Sequence, residues 1–106
     1  MAKKFTTGKS LSGPISGQVH SPAEFGCLIR SARRRQGLTL DAVYSATGLT
    51  TRFLSEFERG KSNPSLGGAL QAAQSLGLEV VVVPRARLRQ VRAALAGLDD
   101  QPDTEW

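Results

Sequence analysis

Residues 50–56, within the stretch GLTTRFLSEFERGKSNPSL, combine two threonines, an arginine, a phenylalanine, a serine and a carboxylate. Arg52 carries a planar fork of donors that can hold a guanine edge through two hydrogen bonds. Phe53 can pack against a thymine methyl group, and good two-bond contacts to a base contribute about 1–3 kcal/mol of discrimination. This combination is suited to reading base pairs, provided that the side chains lie on one exposed helix face.

The polar residues around this pair extend the same surface. Thr51 and Ser55 can reach bases or phosphates, and Glu56 can accept a hydrogen bond from a cytosine amine. Lys61 and Asn63, in the loop that follows, are placed to touch the phosphate backbone. The free amides at the start of the helix favour an anion there as well.

Other interpretations of the same residues remain open. Phe53 taken alone fits core packing better than a base contact, and Glu56 can simply pair with the arginine four residues before it. The run of arginines at 33–35 fits a solvated helix end better than a specific contact, and it can also steer DNA towards the chain. Glu58 and Arg59 are expected to form an internal ion pair or to brace the turn.

The elements that must position this surface follow a repeated pattern of hydroxyl, apolar stripe and glycine. Each repeat predicts a short helix that begins after its hydroxyl residue and ends at its glycine. Helices this short are marginal alone and must pack around a shared core. The predicted caps are Ser21, Thr39, Thr50 and Ser65, and the predicted stops are Gly37, Gly48, Gly60 and Gly77. The tight connection at Gly48–Leu49 predicts a helix-turn-helix, whose second helix presents its N-terminal residues to the major groove of DNA.

The periodicity changes at residues 78–83, where Leu78 and Glu79 precede four valines and Pro84. This β-branched run predicts a strand. A lone strand leaves its backbone groups unpaired, so we expect it to pair antiparallel with the same strand of a second copy. The alternative is that it docks on its own helices as an extended edge. The predicted dimerisation residues are Val80, Val81, Val82 and Val83.

The chain carries a net charge of +5, distributed as +3 over residues 1–23, +6 over 24–98 and −4 over 99–106. A basic body favours a polyanionic partner such as nucleic acid. We expect a flexible basic arm at 1–20, a DNA-binding domain at 21–84 that includes the strand, a basic amphipathic helix at 85–98 and an acidic flexible tail at 99–106.

Several classes of function are disfavoured. His20 is expected to be exposed, Cys27 has no fixed base nearby, and no Cys/His/Asp cluster has metal-ligand spacing. We therefore expect no catalysis, no metal and no cofactor. With one cysteine, no signal peptide and no apolar run long enough for a bilayer, the expected location is the cytoplasm, without membrane contact.

Residues 29–78 resemble the Xre/lambda-repressor-like family of helix-turn-helix proteins, and ERGKSNPS at 58–65 is a specific match. Within that family the chain looks most like the HipB-type antitoxins, which share a β-rich segment after the fourth helix and sometimes end in Glu-Trp, as Glu105-Trp106 do. The resemblance implies a mainly α fold, a bundle of four to five helices with one short C-terminal β-strand that pairs across a homodimer.

The resemblance further implies a cytoplasmic repressor that binds a palindromic operator in double-stranded DNA and regulates its own operon. It also implies that the chain restrains a HipA-type Ser/Thr kinase toxin, with Trp106 as an anchor for that partner. Many members carry a glutamine where this chain has Leu40, so Thr39 or Lys61 is expected to supply that phosphate contact. The expected DNA-binding residues are Thr39, Thr50, Thr51, Arg52, Phe53, Ser55, Glu56, Lys61 and Asn63.

Two alternatives stay open. The chain can be a stand-alone Xre-family regulator without a toxin partner, or mainly a protein-interaction module with DNA binding secondary. Trp106 is then a dangling end in the first case and a partner anchor in the second. The apolar stripe formed by Leu88, Val91, Leu95 and Leu98 either supports the dimer or faces a toxin.

Overall fold

The computed structural model describes residues 16–61 and 63–99. Within these residues the chain forms five α-helices and one short 3-10 helix, which leads directly into the last of the five. The helices are α1 Pro22–Arg35, α2 Leu40–Thr47, α3 Thr51–Glu58, α4 Leu66–Ser75, the 3-10 helix Arg85–Arg87, and α5 Leu88–Asp99. None of the helices in the described ranges is long and apolar enough to cross a bilayer. The mainly helical prediction is confirmed.

All four predicted helix starts are confirmed by their cap geometry. The hydroxyls of Ser21, Thr39, Thr50 and Ser65 each accept a hydrogen bond from the backbone amide three residues later. These bonds satisfy amides that the helix itself leaves without partners. The predicted stops hold as well, since the four glycines that follow the helices have φ between 69° and 80°, a left-handed conformation that other residues rarely adopt.

The core is made by the inward faces of α1 to α4. Phe57 and Leu54 of α3 are fully buried at its centre, and Phe25 of α1 meets Phe57 edge-on at 5.3 Å between ring centroids. The buried apolar residues are Ile29, Ala32, Val43, Leu54, Phe57, Ala69, Ala72, Ala73 and Leu76. Because α3 contributes the largest of these side chains, the helix predicted to read DNA is also the centre of the fold.

Helix α1 lies unusually close to the end of α3 at Gly26. A Cβ atom at this position would stand 1.8 Å from the carbonyl oxygen of Phe57 and 2.8 Å from its carbonyl carbon. Glycine inside a helix costs roughly 1 kcal/mol relative to alanine. The close approach of the Phe57 carbonyl group explains why position 26 is nevertheless a glycine, because no larger residue fits there. No spacing within α1 predicts this requirement, because it arises from the packing of α1 against α3.

A partly buried ion pair joins α1 to α3. The Arg33 guanidinium donates to both Glu58 carboxylate oxygens, at 2.7 and 2.9 Å, and to the Leu38 carbonyl oxygen at 2.7 Å. The expectation that Arg33 is solvated is therefore wrong, because the fold brings a carboxylate 25 residues away against it. Glu58 pairs with Arg33, and Arg59 remains exposed.

The strand predicted at residues 78–83 is not formed in the single chain, where this segment is irregular. The four valines are all exposed, between 37% and 93%. Among the described residues, no backbone hydrogen bond involves residues 79–83. The physical reason is that a strand exists only when its backbone groups are paired, and no second strand is present within the described chain. The expected arm lies outside the described residues as far as Ile15, and the tail, including Trp106, lies outside from Asp100 onward.

Candidate nucleic-acid interface

The turn between α2 and α3 is held by local hydrogen bonds. Gly48 adopts φ 80° and donates its amide to the Tyr44 carbonyl oxygen at 2.7 Å. The Thr47 hydroxyl donates to the Val43 carbonyl oxygen at 2.7 Å and accepts from the Leu49 amide at 3.0 Å. Leu49 is half-buried against the core. These bonds fix the angle at which α3 leaves α2.

Helix α4 supports the same turn from the other side. The Gln71 side-chain amide donates to the Thr47 carbonyl oxygen at 2.9 Å. That carbonyl is among the last of α2, which have no partners within their own helix. Gln71 was not found by sequence reasoning, because its partner lies 24 residues away and no spacing rule connects them.

The outer face of α3 carries the predicted base-reading side chains. Arg52 is the most exposed of them, at 86% of its side chain, while Thr51, Ser55 and Glu56 are half-buried around it. The Arg52 Nε atom lies 3.3 Å from the Glu56 Oε2 atom. The predicted pairing of Glu56 with Arg52 is therefore present, and it holds the guanidinium over the helix face without burying it.

Phe53 does not share that outward orientation. Its ring is half-buried, with its centroid 5.9 Å from that of Phe57. The ring also lies over Gly68 of α4, where an added Cβ would stand 2.8 Å from the Phe53 Cζ atom. The interpretation of Phe53 as a packing residue thus agrees with its position, and the thymine contact stays a prediction.

The residues expected to contact phosphates lie at the edges of α3. Thr50 caps that helix and donates no side-chain bond within the described chain, while its hydroxyl accepts from the Phe53 amide at 3.0 Å. Lys61 and Asn63 are exposed and line an open cleft of about 240 Å³ whose opposite wall is the start of α1. Thr39 is exposed at the start of α2.

Leu40 follows Thr39 and packs half-buried against the core, so it offers no polar group at the place where related sequences are expected to carry glutamine. The Thr39 hydroxyl already accepts from the Ala42 amide at 3.0 Å, which leaves its own proton available for an acceptor. No three His, Cys, Asp or Glu side chains in the described residues are grouped so that they could hold a metal ion.

Residues 24–86 match the family model of a helix-turn-helix domain. The chain belongs to the helix-turn-helix family. Its members are DNA-binding transcriptional regulators, and this chain is one of them. It is 30% identical over 73 residues to the HTH-type transcriptional regulator y4mF of Sinorhizobium fredii, covering 69% of this chain and 96% of that protein. It is also 39% identical over 75 residues to the transcriptional regulator ClgR of Mycobacterium tuberculosis, which covers 67% of each.

Two solved structures share the helix-turn-helix fold of this chain. A HipB–O4 20mer complex superimposes with a TM-score of 0.61 at 21% identity, covering 66% of this chain and 99% of that one. A HipA–HipB–O2–O3 complex gives a TM-score of 0.60 at the same identity and coverage. The fold is therefore the one that HipB has, which agrees with the expected Xre-like bundle.

Proposed function

We propose that this regulator is a dimeric repressor that reads a palindromic operator with α3 and acts as the antitoxin of a kinase toxin. The observation that carries the DNA-reading part is the arrangement of α3, which buries Leu54 and Phe57 completely and leaves Arg52 86% exposed at its N-terminal end. The second helix of a helix-turn-helix enters the major groove with that end.

Arg52 is the main base-reading residue of this proposal. Its bond to Glu56 is long and solvent-exposed, so exchange for the two acceptors of a guanine edge loses little. Thr51 and Ser55 lie beside it on the same face and supply hydroxyls for neighbouring bases. We assign Phe53 to packing, since its ring is turned towards Phe57 and α4.

The phosphate contacts come from the ends of the helices around α3. Lys61 and Asn63 lie on the loop after α3 with their side chains exposed, and Lys61 attracts phosphate irrespective of sequence. Thr39 and Thr50 stand at the N-termini of α2 and α3, where free amides and the helix dipole favour an anion. This arrangement replaces the glutamine contact that Leu40 cannot make.

Dimerisation is proposed through residues 80–83. Their valines are exposed and their backbone groups have no partner within the described chain. Antiparallel pairing with a second copy satisfies both needs at once, because it pairs the backbone and covers apolar side chains. Two α3 helices about 34–36 Å apart would then reach successive major grooves on one side of the duplex.

The antitoxin part rests on the resemblance to HipB-type proteins and on the fold shared with the HipA–HipB–O2–O3 complex. The second candidate, a stand-alone regulator, is favoured by the relatives y4mF and ClgR, whose names describe transcriptional regulators. Removal of residues 99–106 distinguishes the two. Loss of binding to a kinase encoded beside this gene, with operator binding unchanged, supports the antitoxin. Operator binding by the wild-type chain without any binding to that kinase, and unchanged by the truncation, supports the stand-alone regulator.

The DNA-reading part is tested by selecting duplexes from a randomised pool with the wild-type chain and then measuring variants on them. Arg52→Ala should remove about 1–3 kcal/mol of preference for the selected base pair, roughly 5- to 150-fold. Lys61→Ala should instead weaken binding to all duplexes alike and lower the salt dependence by about one phosphate contact. The control is Arg30→Ala, which removes an exposed arginine from α1. Intact base preference in Arg52→Ala would show that another residue reads the operator.

A further inference from the structure

Helix α5 and the 3-10 turn before it form a strongly basic segment after the four packed helices. The family match ends at residue 86, and the HipB complex covers 66% of this chain. No acidic residue occurs between Val80 and Leu98. In this interval the chain carries four exposed arginines, which are Arg85, Arg87, Arg89 and Arg92.

Three of the four arginines lie on one side of the helix. Arg85, Arg89 and Arg92 follow the spacing of one helical face, four and then three residues apart. Leu88, Val91 and Leu95 form the neighbouring stripe and are half-buried. The basic side of α5 therefore lies next to its half-buried apolar stripe, and Arg87, two residues from both Arg85 and Arg89, lies on another side of the helix.

Three of these arginines have no partner in the described chain. Neither a salt bridge nor a side-chain hydrogen bond joins Arg85, Arg87 or Arg89 to another described residue. Arg92 differs, because its Nε atom donates to the Gln18 Oε1 atom at 3.0 Å. Three uncompensated charges within five residues repel one another in the free protein, and a polyanion relieves that repulsion.

The Arg92–Gln18 bond also locates this surface. Gln18 is three residues before Ser21, so at most about 11 Å of chain separates their Cα atoms. Ser21 lines the cleft shared with Lys61 and Asn63, the loop residues assigned above to phosphate contacts. The basic side of α5 therefore contacts a residue that lies within about 11 Å, Cα to Cα, of one wall of that cleft.

We propose that Arg85 and Arg89 bind phosphates of double-stranded DNA in the flanks of the site that α3 reads. The contact is independent of sequence and lengthens the footprint beyond the base pairs read in the major groove. Charge complementarity selects the duplex as the occupant, since it presents one phosphate charge per about 1.7 Å of axis. The proposal rests on the DNA-reading role of α3 but not on the antitoxin role.

The test compares two charge-matched double variants. Arg85→Gln with Arg89→Gln removes two arginines of the surface, and Arg30→Gln with Arg34→Gln removes two exposed arginines of α1. Dissociation constants are measured at 50–200 mM salt on two duplexes. One contains only the base pairs protected by the α3 helices, and the other extends ten base pairs further on each side.

On the extended duplex we expect the α5 variant to lower the log–log salt slope by roughly 1.8, or 0.9 for each phosphate that it no longer neutralises. On the trimmed duplex its slope should match that of the wild type, and its base preference should be unchanged. The α1 variant should leave the slope unchanged on both duplexes.

If the salt slope fell equally in the two variants, the effect would depend only on net charge, and the proposal would be overturned. An unchanged slope in the α5 variant would also overturn it and would leave the acidic residues 99–105 or an acidic protein as the occupant. Failure of the DNA-reading role would be seen separately, because the wild-type chain would then show no base preference on the trimmed duplex.

Discussion

The four packed helices α1–α4 and the segment that follows them differ in how many of their apolar and charged side chains find partners within a single chain. In the first region the apolar side chains are buried, the helix starts are capped, and the charge of Arg33 is paired. In the segment from Glu79 to Arg89, valines reach 93% exposure and arginines lack partners among the described residues. The first region is complete as a monomer, and the second has the composition of a contact surface for other molecules.

The largest effect is expected from breaking the ion pair that completes the first region. Glu58→Ala leaves the Arg33 guanidinium, whose side chain is 15% exposed, without its carboxylate. Stranding one charge of such a pair costs about 3–5 kcal/mol of unfolding free energy. Replacing both residues, as in Arg33→Met with Glu58→Leu, should recover most of that loss because no charge remains buried. Chemical denaturation measures each variant.

The exposed pair of α3 provides the matched control for this cycle. Replacing both Arg52 and Glu56 by alanine should change the unfolding free energy by less than about 1 kcal/mol, because exposed pairs contribute little. If the single Glu58→Ala variant were as mild as this control, the Arg33 pair would not be holding α1 against α3.

The next prediction compares two glycines inside helices. Gly26→Ala places a methyl group against the Phe57 carbonyl, so α1 must move away from α3. We expect destabilisation at the upper end of overpacking, about 3 kcal/mol. Gly97→Ala in α5 meets no atom within 4 Å and should stabilise its helix by up to about 1 kcal/mol. Thermal unfolding measures both effects, since the melting temperature should fall for Gly26→Ala and rise for Gly97→Ala. Destabilisation by Gly97→Ala would mean that α5 is packed more tightly than its exposure indicates.

The sequence predicted the first region well because its signals are local. A hydroxyl, an apolar stripe and a glycine define each helix within about a dozen residues, and all four starts are where the pattern placed them. The misses are contacts between distant residues. The partner of Arg33, the close approach at Gly26 and the support from Gln71 each depend on how whole helices pack, which spacing along one helix does not contain.

The predicted strand at residues 78–83 illustrates a different limit. Its β-branched composition describes a preference, but pairing is a property of two strands, and the single chain shows the segment without its partner. The same holds for the outer face of α3. The sequence identified Arg52 as exposed, and the structure agrees, while the base that it contacts depends on a duplex.

The smallest effect on the single chain is expected at the surface of the second region. Val82 is 93% exposed, so Val82→Lys should change the unfolding free energy of the monomer by no more than about 0.5 kcal/mol. In an antiparallel dimer the substitution brings two lysines to the strand pair, where like charges repel. The dimer dissociation constant should therefore rise at least about tenfold, or 1.4 kcal/mol, as measured by sedimentation equilibrium. Val19→Lys, at another exposed valine, should leave dimerisation unchanged. If both variants associated like the wild type, the valines would not form the dimer contact, and the operator would have to be read by chains joined elsewhere.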